Sequence, residues 1–276
     1  GVMCLCYAAW SLWYLGYPDQ ALKRCEEALA LARELSHPFS LAFALHTMAC
    51  VCLYRQEWNV AQEWAEAEVS FCTEQGFALF VILGSIYRGR ALTEQGQRVE
   101  ECIGQIRQSL AAYRATGAEN GRPYFLAILA EAYGKTGQVE EGLTVLTEAL
   151  AAVDNMRERF YEAELYRLKG ELMLQQESQN AKVKTQKSKV TDPQPLPPDP
   201  QKEAEGCFLK AIEVSRRQQA KSLELRAVMS LARLRQQQGK QHEARNILSE
   251  IYNWFTEGFD TKDLQEAKAL LEELSD

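Results

Sequence analysis

Catalytic motifs are what this sequence lacks. It contains no G-x-x-x-x-G-K-[ST] phosphate loop, no H-E-x-x-H, no G-x-S-x-G and no glycine-rich dinucleotide fingerprint. Histidine is scarce: His37, His46 and His242 are the only three, and they lie far apart. His46 stands four residues before Cys50, on one helix face, but a groove-lining His beside an inert thiol explains the pair without a metal. Positive charge is in deficit. With 31 Lys and Arg against 38 Asp and Glu the net charge is −7, which argues against a generic polyanion-binding surface and so against a nucleic-acid partner. The eight cysteines include no C-x-x-C pair and no small-domain disulfide framework. Most sit in Ala- and Leu-rich stretches, where a thiol acts as a small hydrophobe, and the usage points to a reducing cytoplasm. The uncharged opening "GVMCLCYAAWSLWYLGY" has no basic n-region and, at 17 residues, only the minimum length of a membrane span. It also fits the repeat described next, so no membrane segment is expected. The start at Gly1 rather than Met reads as a piece of a longer protein.

What is present is an internal repeat of about 40 residues. Turn positions recur at Gly16, Gln56, Gly96, Gly137 and Gly239, and seven residues before them stand Ala9, Ala49, Gly89, Ala130 and Ala232. Gly170 completes this small-residue column and predicts a further turn near Glu177. A small side chain there lets two antiparallel helices approach until ridges settle into grooves, and the glycine closes the first helix of each pair. The fold class is therefore all-α: a right-handed superhelical solenoid of about six helix-turn-helix repeats plus a C-terminal capping helix. The repeats fall at 1–36, 37–76, 77–116, 117–157, 158–219 and 220–258, all in one domain. The fifth is interrupted by an insertion at 178–200, whose first half carries Lys182, Lys184, Lys187 and Lys189 and whose second half holds the prolines from Pro193 to Pro200. It reads as a solvated loop, or as a docking segment for an acidic or proline-recognising partner. Gly258 is expected to end a helix. Asp260 or Thr261 would then cap a last one at 260–275, with Asp263 in its first turn and Leu264, Ala267, Leu270, Leu271 and Leu274 as its apolar stripe.

The columns at Ala9, Ala21 and Ala28 and their equivalents resemble the tetratricopeptide repeat, though with longer helices than its usual 34 residues allow. Glu68 and Gln108 replace the second alanine in units two and three, which suggests looser packing there. The stretches "AEGCFLKAIEVSRRQQAKSLELRAVMSLARLRQQQGK" and "WFTEGFDTKDLQEAKALLEEL" resemble the C-terminus of large bacterial signalling proteins. Those proteins join a STAND-type ATPase, often fused to a class III nucleotide cyclase, to tetratricopeptide-like repeats. The resemblance implies a non-catalytic sensor or scaffold region that binds a protein, a peptide or a small anionic ligand and needs no cofactor. The alternative is an oligomerisation scaffold, with the aromatic N-terminal repeats as the self-association surface.

In tetratricopeptide arrays the concave face is lined by the first helices. Mapped onto this chain, that face takes Tyr54 and His46 with Trp10, Trp13 and Tyr14 from the early units, and Arg90, Tyr124, Glu131, Lys135, Arg167, Arg226 and Arg233 from the later ones. The groove would then run from an aromatic end to a charged end. Arginine forks at the charged end suit a carboxylate or phosphate, unless Glu131, Lys135, Glu164 and Arg167 pair with one another. The aromatic end is either open or covered by repeats lying upstream.

Overall fold

A computed structural model describes residues 1–186 and 199–275, and every regular element among them is a helix. The helices run in antiparallel pairs: α1 (Val2–Tyr14) with α2 (Pro18–Glu34), α3 (Pro38–Tyr54) with α4 (Trp58–Gln75), and α5 (Ala78–Glu94) with α6 (Val99–Ala115). The series continues through α7 (Arg122–Lys135) with α8 (Val139–Met156), α9 (Glu162–Gln186) with α10 (Pro200–Gln218), and α11 (Lys221–Gln237) with α12 (Gln241–Tyr252), and α13 (Lys262–Glu273) closes it. This is an all-α solenoid of helix pairs. Pro18, Pro38, Pro123 and Pro200 all stand in the first turn of a helix, where a missing N–H breaks no bond. Gly16, Gly96, Gly137 and Gly239 leave their helices with φ between 71° and 90°, and Gln56 takes the same left-handed turn at φ 61°.

The small-residue column is the pivot of each pair. Ala9, Ala49, Ala130 and Ala232 are wholly buried. At Gly170 a Cβ would lie 2.6 Å from the ring of Phe208 on α10, a side chain that is itself fully buried. Gly170→Leu should therefore force α9 and α10 apart. Overpacking costs about 1–3 kcal/mol, against roughly 0.5–1 kcal/mol regained by removing a helical glycine. A lower urea midpoint is expected, with the exposed control Glu140→Gln changing stability by less than about 0.5 kcal/mol. Equal midpoints for the two variants would refute the register of the column.

Three local expectations change. No turn occurs near Glu177, because α9 runs on to Gln186: "ELMLQQESQNAKVKTQ" is rich in helix formers and contains neither Gly nor Pro. The rest of the expected insertion, 187–198, lies outside the described residues. Gly258 does not end a helix. It sits in the loop after α12 with φ 76°, packed so tightly on Pro18 that a Cβ would be 2.2 Å from the proline ring. Glu68 does not loosen its repeat: it is fully buried, and Gly84 on α5 leaves room for its carboxylate. Gln108, by contrast, is exposed and borders an open groove of about 470 Å³ between α4, α5 and α6.

The array also curls until its ends meet. Ser222 at the start of α11 donates to the carbonyl of Trp13 at the end of α1 (2.6 Å), and Arg226 donates to the carbonyl of Tyr54 at the end of α3 (2.7 Å). The loop 253–261 lies against the first turn of α2. Hence α13 caps the sixth pair through Leu264, Ala267, Leu270 and Leu274, while the loop before it joins that pair to the first.

Candidate functional site

Because the ends meet, aromatic and charged residues line one interior rather than opposite ends of a groove. What covers Trp13 is the sixth pair: Trp13 is 2% exposed, stacks on Tyr54 at 4.4 Å and lies 5.1 Å beneath the Arg226 guanidinium, whereas Trp10 packs on Phe43 and Tyr14 on Phe160. Behind them a column of tyrosines runs from α1 and α3 to α7 and the turn before α9. Tyr14 and Tyr54 share a hydroxyl hydrogen bond of 3.0 Å, Tyr54 meets Tyr124 edge-on at 5.6 Å, and Tyr124 meets Tyr161 at 4.8 Å. Burial pushes these phenols above their ordinary range, so they remain neutral donors.

At the mouth of this interior lies a polar cavity of about 280 Å³, with walls supplied by the turn before α4 and by α4, α5, α7, α9, α11 and α13. Six cationic side chains face it, Arg90, Lys135, Arg167, Arg226, Arg233 and Lys262. Six carboxylates answer them, Glu94, Glu131, Glu164, Glu171, Asp263 and Glu266, so the lining is electrically balanced. Arg90 reaches Glu131 at 2.7 Å, and Lys135 reaches Glu94 at 3.0 Å. Arg167 grips Glu164 through two bonds of 2.7 and 2.9 Å and also contacts Glu171. Arg226 is held by Asp263 at 2.8 Å, and Asp263 accepts in turn from Gln56 at 2.6 Å. Arg233 meets Glu266 at 3.1 Å. Burial raises the Glu131 carboxyl despite Arg90, and raises Asp263 despite Arg226. Glu164 is also desolvated, yet Arg167 and Arg226 together hold it below its ordinary value.

The sequence-derived residues divide into three groups. Arg90, Glu131, Lys135, Arg167, Arg226 and Arg233 do converge, and the arginines are engaged by the chain's own acids rather than left free for an anion, while Tyr124 lies in the aromatic wall and meets the set through Arg90 at 3.5 Å. Tyr54 stands behind them in the aromatic wall, its carbonyl taken by Arg226. His46 lies apart: its Nδ1 is 2.9 Å from Glu68, its Nε2 is 3.3 Å from the Tyr87 hydroxyl, and its ring stacks on Tyr87. Sequence reasoning missed Gln56, Trp58, Lys262, Glu266 and the inward role of Asp263. An acid in the first turn of a helix looks the same whether it faces solvent or an arginine from another repeat.

The family profile of Anaphase-promoting complex subunit 5 matches residues 3–52 and 202–276, somewhat less than half of the chain. No curated protein matches. Among solved structures, NprR in complex with its cognate peptide NprX is 14% identical over 99% of this chain and 77% of its own, with a TM-score of 0.66. A Rap protein complexed with Competence and Sporulation Factor is 10% identical over 98% and 73%, at TM-score 0.62. The apo form of RapI is 11% identical over 99% and 84%, at TM-score 0.60. At such identities the likeness is one of fold, and that fold is the tetratricopeptide-like helical repeat. No described helix is long and apolar enough to cross a membrane.

Proposed function

We propose that this chain is a non-catalytic repeat scaffold that takes a protein or peptide segment at the charged mouth of its superhelix, and that it serves as the sensor region of a bacterial, cytoplasmic signalling protein of the STAND ATPase and cyclase kind. The observation that carries the reading is the balanced lining. A free anion would have to displace a carboxylate from each arginine, whereas a polypeptide of mixed charge exchanges one ion pair for another. NprR and the Rap protein were each solved with a peptide or factor bound, which supports the same reading. The signalling context rests on the resemblance of the C-terminal third.

Lys135 and Arg233 make the discriminating pair, since both are more than two-fifths exposed and sit at the rim. Changing both to alanine should alter stability by less than about 0.5 kcal/mol each. In the full-length parent, the double variant is expected to lose effector output in response to its activating signal, and its partner capture should weaken. Unaltered output and capture would move the interaction surface off this mouth.

A second reading has its own observation. Met3, Tyr7 and Phe39 are 43%, 54% and 44% exposed, along a ridge of ring contacts that joins Tyr7, Phe43 and Phe80. Self-association through that ridge would make the chain an oligomerisation scaffold. Light scattering across a concentration series separates the readings, the mass of a single chain at every concentration excluding this one.

A further inference from the structure

The junction between the first and sixth pairs is built differently from the junctions between sequence neighbours. Consecutive pairs meet through fully buried alanines and leucines, gathered mainly in one cluster that runs from α1 to α9 and another that runs from α10 to α13. At the seam Tyr17 meets Trp254 at 5.4 Å and Gly258 packs on Pro18, and around these contacts runs a layer of polar bonds between residues 172 to 239 positions apart in the chain. Helix α2 has no cap from its own N-cap residue, Tyr17. Its cap comes from the far end of the protein: the Glu257 carboxylate accepts from the backbone N–H groups of Asp19 and Gln20, at 3.0 Å each, and from the Gln20 side chain at 2.9 Å. Asp19 reciprocates by accepting from the N–H of Gly258 at 2.9 Å. The exchange has the logic of a capping box, with the two halves on opposite ends of the array. Beside it Arg55 bridges Asp19 at 3.0 Å and Asp260 at 3.6 Å.

Two features suit this seam to opening. Its outer acids are exposed, Asp19 by 49% and Asp260 by 76%, and exposed ion pairs are individually weak and screened by salt. Its inner polar groups also keep partners on their own side. If the seam parts, Arg226 loses the Tyr54 carbonyl but retains Asp263, and Arg55 loses Asp260 but retains Asp19 at 3.0 Å and Glu57 at 2.7 Å. Trp13 likewise keeps its stack on Tyr54. No charge is left buried without a partner by the separation, which is the penalty that would otherwise lock such a joint.

We propose that the seam is a releasable clasp, in which Glu257 and Asp19 hold the superhelix shut over its tyrosine-lined interior. The closed form offers a partner only the 280 Å³ mouth, so a segment longer than a few residues reaches the interior once the clasp opens. This rests on the reading that the interior side of the array is where a polypeptide binds.

The test uses the whole chain and no partner, so its outcome is independent of the rim variants at Lys135 and Arg233. Asp19→Asn combined with Glu257→Gln removes the clasp charges without changing shape, and Gly258→Val blocks the approach of the loop to Pro18. Hydrogen exchange should show the Asp19 and Gln20 amides of both variants exchanging at least tenfold faster, while the amides of α3 to α8 keep wild-type protection. Small-angle scattering should show a larger radius of gyration with unchanged helix content. Raising the salt concentration should move wild-type protein in the same direction. Wild-type exchange at Asp19 and Gln20 in both variants would overturn the proposal. So would loss of protection across α3 to α8 together with the seam, since the joint would then be part of one cooperative core.

Discussion

His46→Leu is expected to destabilise the protein by about 3–5 kcal/mol, because it strands a buried carboxylate. Glu68 is fully buried on α4, and its Oε1 lies 2.9 Å from His46 Nδ1, while its Oε2 has no hydrogen-bond partner among the described residues. Burial raises the Glu68 carboxyl above its ordinary value, and His46 pulls it back down. Removing the imidazole deletes the opposing effect, so the folded-state value in the variant rises further. A carboxyl whose folded pKa lies above its unfolded one binds more protons in the native state. Its stabilising contribution is complete below the ordinary glutamate value of about 4.3 and is lost as pH rises through the folded value. The variant's deficit should therefore widen from acidic toward neutral pH. Pairing His46→Leu with Glu68→Met makes the contact apolar on both sides and should recover most of the loss. Denaturant midpoints for the single and double variants, taken as a function of pH, check both points. A pH-independent deficit would mean that the Glu68 charge is not what the histidine supports.

The two positions also mark where the sequence is legible and where it is not. The alternation of helices follows from residues that act locally: a small side chain at Ala9, Ala49 or Ala130 and a left-handed turn a few residues on are each dictated by their own neighbours. Glu68 obeys a different logic. It stands in the alanine column and looks like a defect, and only the identity of His46 on the preceding helix and Gly84 on the following one turns it into a buried pair. The convergence of Arg90, Arg167 and Arg226 was readable because they recur at inward positions on first helices. Their partners were less so. Asp263 belongs to a helix whose place over the groove depends on how far six repeats rotate the array, and that rotation accumulates from small angles that no single repeat displays. The same accumulation brings Gly258 onto Pro18, so a glycine that reads as a helix stop is instead shaped by a contact with the opposite end of the chain.

Arg226 shows most clearly that an arginine facing a groove can belong to the scaffold rather than to a ligand. Its guanidinium is 7% exposed, lies over Trp13, donates to the Tyr54 carbonyl and is fixed by Asp263, so three separate pairs meet on one side chain. Arg226→Met should cost about 3–5 kcal/mol, since Asp263 would keep only Gln56 as a partner in a desolvated site. Arg226→Lys should recover little of this, because a single ammonium cannot span Asp263 and the Tyr54 carbonyl as a planar fork does. Adding Asp263→Leu to Arg226→Met removes the stranded acid and should restore much of the loss, as measured by chemical denaturation of all three variants. The rim residues Lys135 and Arg233 predict the opposite pattern, little change in stability and a change in partner capture. If Arg226→Met proved neutral to folding while partner capture disappeared, Arg226 would have to be reassigned from the frame of the closed array to its binding surface.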